Sequence, residues 1–134
     1  MRIAALDVGL KRIGVALSPD GVTVLPQPAI LRRNRDQAAR DTVAFLDEWG
    51  VDTLIVGLPR GGSSEAEMER RIRHFVGLLG VEDRMRIHYQ DEAGSSAEAR
   101  ERMEGAIRQR RDGRIDSIAA QIILERWLTR SEEV

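Results

Sequence analysis

The sequence contains no cysteine, a single lysine, two histidines and few aromatic side chains, and each shortage closes off some chemistry. The absence of cysteine excludes a disulfide framework, a zinc–thiolate centre and a cysteine nucleophile. His74 and His88 stand apart on different predicted elements and support no Ser-His-Asp arrangement. No run approaches the roughly 18 consecutive apolar residues of a membrane-spanning helix. The stretch from Met1 to Asp7 lacks a signal-peptide layout and reads as a strand, so the expectation is a cytoplasmic protein with no membrane partner. What remains is 134 residues, 42% hydrophobic and 32% charged, enough for one globular domain with its own core.

A net charge of −1 argues against a generic nucleic-acid coat protein, but the distribution of charge says more than its sum. Of the 21 basic residues all are Arg except Lys11. They cluster at Arg32-Arg33-Arg35, at Arg70-Arg71-Arg73 and at Arg108-Arg110-Arg111-Arg114. The planar guanidinium suits bidentate contact with phosphate. The first two clusters are interleaved with acids and read as solvated helix faces. The last is the densest and falls in a predicted loop, which favours a functional role.

Residues 2–8 form an apolar run ended by Gly9, as in a central strand buried on both faces. Residues 12–18 make a second strand. Pro19-Asp20-Gly21 signals a turn, and residues 22–31 make a third strand whose Pro26 and Pro28 suit a sheet edge. A helix capped by Asn34 or Asp36 runs to about Trp49, with Gly50 ending it. Residues 53–58 are a buried strand stopped by Pro59. Ser63 or Ser64 caps a helix carrying Met68, Ile72, Phe75, Val76 and Leu79, which stops at Gly80. Residues 85–90 alternate as a strand. A helix from Ser95 or Ser96 to about Ile107, the arginine loop and a final helix over 116–129 complete the chain. Short connections make the first three strands an antiparallel meander, and the later helix–strand alternation calls for two parallel strands. One α/β domain over 1–134, with a five-stranded mixed sheet flanked by helices, accommodates every element.

Functional residues in such sheets gather beyond the carboxyl ends of parallel strands. Asp7 ends the first strand, Asp91 and Glu92 lie just past the last, and Asp116 opens the final helix. With the first and last strands parallel and near one another, these carboxylates can converge. Convergent oxygen ligands without sulfur or clustered imidazole suit Mg²⁺ or Mn²⁺. Two such ions about 3.5–4 Å apart can support phosphodiester hydrolysis. Purely structural roles compete: Asp7 can cap the turn at Gly9, Asp91 the helix that follows, and Asp116 the last helix, where a carboxylate is favoured in any case.

Four ordered segments carry a family resemblance across nearly the whole chain. Asp7-Val8-Gly9-Leu10-Lys11-Arg12-Ile13-Gly14-Val15-Ala16 resembles the DxGxKRxGVA opening of the YqgF/RuvX family, described as Holliday junction resolvases and pre-16S rRNA nucleases. Val56-Gly57-Leu58-Pro59 is similar to its VGLP segment. Asp91-Glu92 with Ser95-Ser96 resembles its DERxT/S motif. Arg114-Ile115-Asp116-Ser117-Ile118-Ala119-Ala120-Gln121-Ile122-Ile123-Leu124 resembles its (K/R)xDxxAAxxIL segment. The resemblance implies an RNase H-like fold and a metal-binding, catalytic triad of Asp7, Glu92 and Asp116, with Asp91 as a further candidate ligand. It also implies that Lys11, Arg12 and Arg114, with neighbours Arg110 and Arg111, approach substrate phosphate. Ala93-Gly94 departs from the family pattern, which usually has Arg and then a bulky residue there; the departure touches rate and substrate preference and leaves the ligands intact.

Three functions compete on these residues. The first is a metal-dependent endonuclease on structured nucleic acid, acting on the 5′ end of precursor 16S rRNA or on branched DNA. A monomer or homodimer is expected, and junction cleavage would favour the dimer. The second is a phosphotransferase, because the glycine-rich turn after Asp7 is also similar to the phosphate-binding hairpin of actin-like sugar kinases. Those close two such domains around ATP, and 134 residues supply one. The third is a non-catalytic nucleic-acid-binding module, which Ala93-Gly94 keeps open.

Overall fold

The computed structural model describes residues 1–59, 65–91 and 117–132. Among them are strands β1 (Ile3–Val8), β2 (Arg12–Ser18), β3 (Leu25–Leu31), β4 (Thr53–Leu58) and β5 (Arg86–Asp91). The helices among them are α1 (Arg35–Glu48), α2 (Glu65–Leu79) and α3 (Ile118–Glu132). The five strands form one sheet in the order β3-β2-β1-β4-β5. β1 is antiparallel to β2 and parallel to β4, β2 is antiparallel to β3, and β4 is parallel to β5. The sheet is the expected meander plus two parallel strands. β1 and β5 run the same way, yet β4 lies between them, so two inter-strand spacings of about 4.8 Å separate what the sequence suggested were close neighbours.

The alternation of side chains sorts the core into two layers. Leu6, Val15, Leu54 and Val56 face α1 and α2, packing with Leu46, Ile72, Phe75 and Leu79. Ile3, Ala5, Ala16 and Ile55 face α3, packing with Ala120, Ile123 and Leu124. Ala5 and Ala16 leave room for α3 to lie close to β1 and β2. Residues 3–6 of β1 are at most 1% exposed, as a strand covered on both faces requires.

Local chemistry sets the boundaries. Asn34 is the N-cap of α1: its side chain accepts from the Gln37 backbone N–H at 2.8 Å, and Gln37 Oε1 accepts in return from Asn34 N–H at 3.3 Å. Gly50 and Gly80 end α1 and α2 at φ of 61° and 63°, a left-handed conformation that only glycine adopts cheaply. β3 begins at Leu25, three residues later than expected, because Asp20 Oδ1 accepts from Val22 and Thr23 N–H at 2.9 and 2.7 Å and prolongs the turn. β3 is the edge strand that its prolines foretold. α3 opens at Ile118, two residues later than expected, and continues to Glu132. The Ser63 or Ser64 cap, the helix from Ser95 or Ser96 and the arginine loop lie outside the described residues.

Candidate active site

Asp7 is the penultimate residue of β1, at the carboxyl edge of the sheet. Parity with Ile3 and Ala5 puts its side chain on the face covered by α3. On one side its antiparallel partner is Gly14. On the other, the parallel register that pairs Leu6 with Val56 brings Gly57 alongside, and Gly57 pairs with Gln90 of β5. A row therefore crosses this edge as Gly14, Asp7, Gly57, Gln90. The two glycines contribute no side chain of their own to the bay around Asp7. The glycines of the DVGLKRIG and VGLP segments thus flank this carboxylate.

Burial pushes the Asp7 carboxyl above the ordinary range, with desolvation as the cause. No described residue donates a hydrogen bond or an ion pair to it. A half-buried carboxylate left so is costly unless a positive group joins it. Gln90, on the same row, has its Oε1 buried without a hydrogen-bond partner. Asp7 and Gln90 thus stand on one face of the sheet, each with oxygen that no described residue satisfies, and carboxylate and amide oxygens are ligands of the kind a hard divalent cation takes. Gln90 carried no motif and was missed from sequence; the alternation of Arg86–Asp91 was the one available signal.

The turn after Asp7 is tightly built. Gly9 N–H donates to the Arg12 carbonyl at 3.0 Å. A Cβ at position 9 would lie 2.6 Å from that oxygen, so only glycine fits. Arg32, just past β3, clamps the turn, its N–H donating to the Lys11 carbonyl at 2.9 Å and its Nη1 to the Gly9 carbonyl at 3.0 Å. Lys11 and Arg12 are exposed, and alternation puts Arg12 on the Asp7 face.

Ser117 ties α3 to the same edge. β2 and β3 shift register between Ile13 and Val15, and there the buried Val15 N–H donates to Ser117 Oγ at 2.9 Å. Val15 follows Gly14, the partner of Asp7. Ser117→Ala leaves that N–H without an acceptor and is expected to cost about 1–3 kcal/mol in urea unfolding. An unchanged midpoint would show the bond to be dispensable.

Asp91 is the last residue of β5, paired with Leu58, rather than a residue beyond the strand. It is exposed, and alternation puts it on the face opposite Asp7, which moves it away from the role of a direct ligand. His74 and His88, on α2 and β5, are both exposed, and the His88 ring lies 5.5 Å from that of Trp127. Glu92, Asp116, Arg110, Arg111 and Arg114 lie outside the described residues. Among the described residues no three His, Asp or Glu side chains gather into a metal-binding group.

Comparison with known proteins agrees with this architecture. T. thermophilus RuvC in complex with Holliday junction substrate superposes with a TM-score of 0.60 at 11% identity, covering 98% of this chain and 96% of that one. The fowlpox virus Holliday junction resolvase superposes with a TM-score of 0.57 at 15% identity over 100% of both chains. The fold is thus that of RuvC-like, RNase H-fold proteins. Residues 1–130 match the family model described as RuvX: Holliday junction resolvase, and the chain belongs to that family. A relative from Sulfurovum sp. (strain NBC37-1), named "Putative pre-16S rRNA nuclease", is 60% identical, covering 96% of this chain and 99% of its own length. A relative of the same name from Sulfurimonas denitrificans is 55% identical, covering 96% of this chain and 97% of its own.

Proposed function

We propose that this protein is a cytoplasmic, metal-dependent endonuclease that hydrolyses phosphodiester bonds in structured nucleic acid. Its substrate in this reading is the 5′ region of precursor 16S rRNA. The observation that carries it is Asp7: a desolvated carboxylate, without a donor among the described residues, between two glycines at the sheet's carboxyl edge. Relatives at 60% and 55% identity bear the pre-16S rRNA nuclease name, which supports the choice of substrate.

Asp7, Glu92 and Asp116 would hold Mg²⁺ or Mn²⁺, in a pair of ions on the two-metal plan. Glu92 is one peptide beyond Asp91 at the end of β5, and Asp116 one peptide before the anchored Ser117. When bound, such ions lower the pKa of a water and offset charge on the phosphodiester and the leaving oxygen. Gln90 Oε1, without a partner among the described residues, would accept a hydrogen bond from a bound water. Lys11 and Arg12, with Arg110, Arg111 and Arg114, hold the flanking phosphates, and the Arg32 clamp keeps the Lys11 turn in place during turnover.

A second reading, cleavage of branched DNA at a junction, is favoured by the family's description and requires two copies acting symmetrically. A monomer suffices for the first reading and a homodimer for the second. The test supplies labelled precursor 16S rRNA and a four-way DNA junction with Mn²⁺, Mg²⁺ or EDTA. Cleavage of the RNA in either metal, and none in EDTA, is the expected result. Faster paired cutting of the junction would favour the second reading, and inactivity on both substrates would leave a binding module.

A further inference from the structure

The two arginine clusters that sequence assigned to solvated helix faces meet in space. A groove of about 440 Å³ opens at the carboxyl end of β1, on the face opposite Asp7, beside Val8, Gly9 and Leu10. Arg32, between β3 and α1, and Arg35, at the start of α1, line it on one side, and Arg70 and Arg71 line it from α2. The sum of these four cations is not cancelled locally. Arg71 pairs with Glu67 at 2.7 Å, but among the described residues neither Arg35 nor Arg70 has a partner. Arg32 spends one N–H on the Gly9 carbonyl and lays its guanidinium over the Phe75 ring at 5.4 Å, so it is held in place with further donors to spare. Arg35 sits in the first turn of α1, where the helix dipole disfavours a cation, so helix stability does not account for it.

We propose that this groove is an anchoring site for nucleic-acid backbone, holding the strand that runs on from the cleavage bay. The proposal rests on the nuclease reading for the path of that strand. Asp7 and Val8 are consecutive, so the bay and the groove share one edge of the sheet and face opposite ways. A strand leaving the bay reaches the groove by passing over that edge. The groove also has apolar lining from Met68 and Ile72, and Leu10 at its mouth is 63% exposed. Cations beside exposed apolar surface match phosphate joined to sugar and base better than an isolated small anion. Placement away from Asp7 makes the site one of affinity and reach rather than of chemistry.

The test measures binding of a fluorescein-labelled RNA stem–loop with a single-stranded extension, in EDTA so that nothing is cut. Arg35→Ala/Arg70→Ala is expected to weaken binding about tenfold and to reduce the slope of log affinity against log salt by about 2. Arg35→Lys/Arg70→Lys should keep most of that slope, and a stem–loop without the extension should bind native and Ala proteins alike. Equal affinity and slope for native and Ala proteins would overturn the proposal, even if the native protein cuts RNA with metal. Saturable binding of pyrophosphate that is lost in the Ala protein, with RNA binding unchanged, would overturn it in favour of a small-anion site. If RNA binding depends on the two arginines while the native protein cuts nothing, the anchoring site stands and the nuclease reading falls.

Discussion

Asp7→Asn is expected to lower metal-dependent cleavage about 1000-fold or more while raising the thermal midpoint by a few degrees in chelator. The substitution keeps size and shape and removes the charge that would hold the cations, so the loss falls on the chemical step. The stability gain follows from burial. The folded protein holds the Asp7 carboxyl above its ordinary range, so the ionised form is disfavoured by folding. Below the ordinary Asp range the group is protonated whether the chain is folded or not, and costs nothing. As pH rises from about 3.8 through the folded value the unfolded chain ionises first, stability is lost, and above the folded value the penalty stays constant. The Asn protein should therefore exceed native stability at neutral pH and match it in acid. A variant that loses activity and stability together would make Asp7 structural.

Phe75→Ala should produce the largest loss of stability, about 3–5 kcal/mol by urea unfolding. Phe75 is 1% exposed in the C-terminal half of α2 and belongs to the layer between the helices and β1, β2 and β4. Its removal leaves a cavity that α2, held at several points, closes only in part. Against a total of about 5–15 kcal/mol for a domain, that is about a fifth or more of the margin. Phe75→Leu, which nearly conserves volume, should cost less than about 1.5 kcal/mol. The ring also supports Arg32, which clamps the turn carrying Lys11. Phe75→Ala should accordingly raise KM for nucleic acid under conditions where the protein is fully folded. A midpoint within about 1 kcal/mol of native would show that α2 repacks freely.

Much of the fold was legible because strands and helices announce themselves by periodicity. The run over 53–58 and the one over 12–18 have the bounds of β4 and β2, since Pro59 and the Pro19 turn stop them abruptly. Asn34 and Asp36 were equal candidates for the cap until Gln37 closed a reciprocal pair with Asn34. The limits appeared where tertiary contacts decide. Asp91 joins β5 because β4 pairs with it there, which also turns its side chain from the Asp7 face. Ser117 is held outside α3 by the Val15 N–H, some hundred residues earlier in the chain. Asp7 was legible because an acid ending a buried strand is conspicuous. Gln90 was not, since a neutral amide in an alternating strand has nothing to mark it. The arginine groove was invisible for a different reason. Arg35 and Arg70 come together only because β4 returns the chain beside β1, so that α1 and α2 cover one face.

The central claim is that Asp7 anchors a divalent cation shared with Glu92 and Asp116. Anomalous scattering from a crystal grown with Mn²⁺ tests it most directly. The account predicts manganese peaks against the Asp7 carboxylate in native protein, with Glu92 and Asp116 in the same coordination sphere, and none there in Asp7→Asn. Manganese bound elsewhere, with the Asp7 bay filled by water alone, would contradict it.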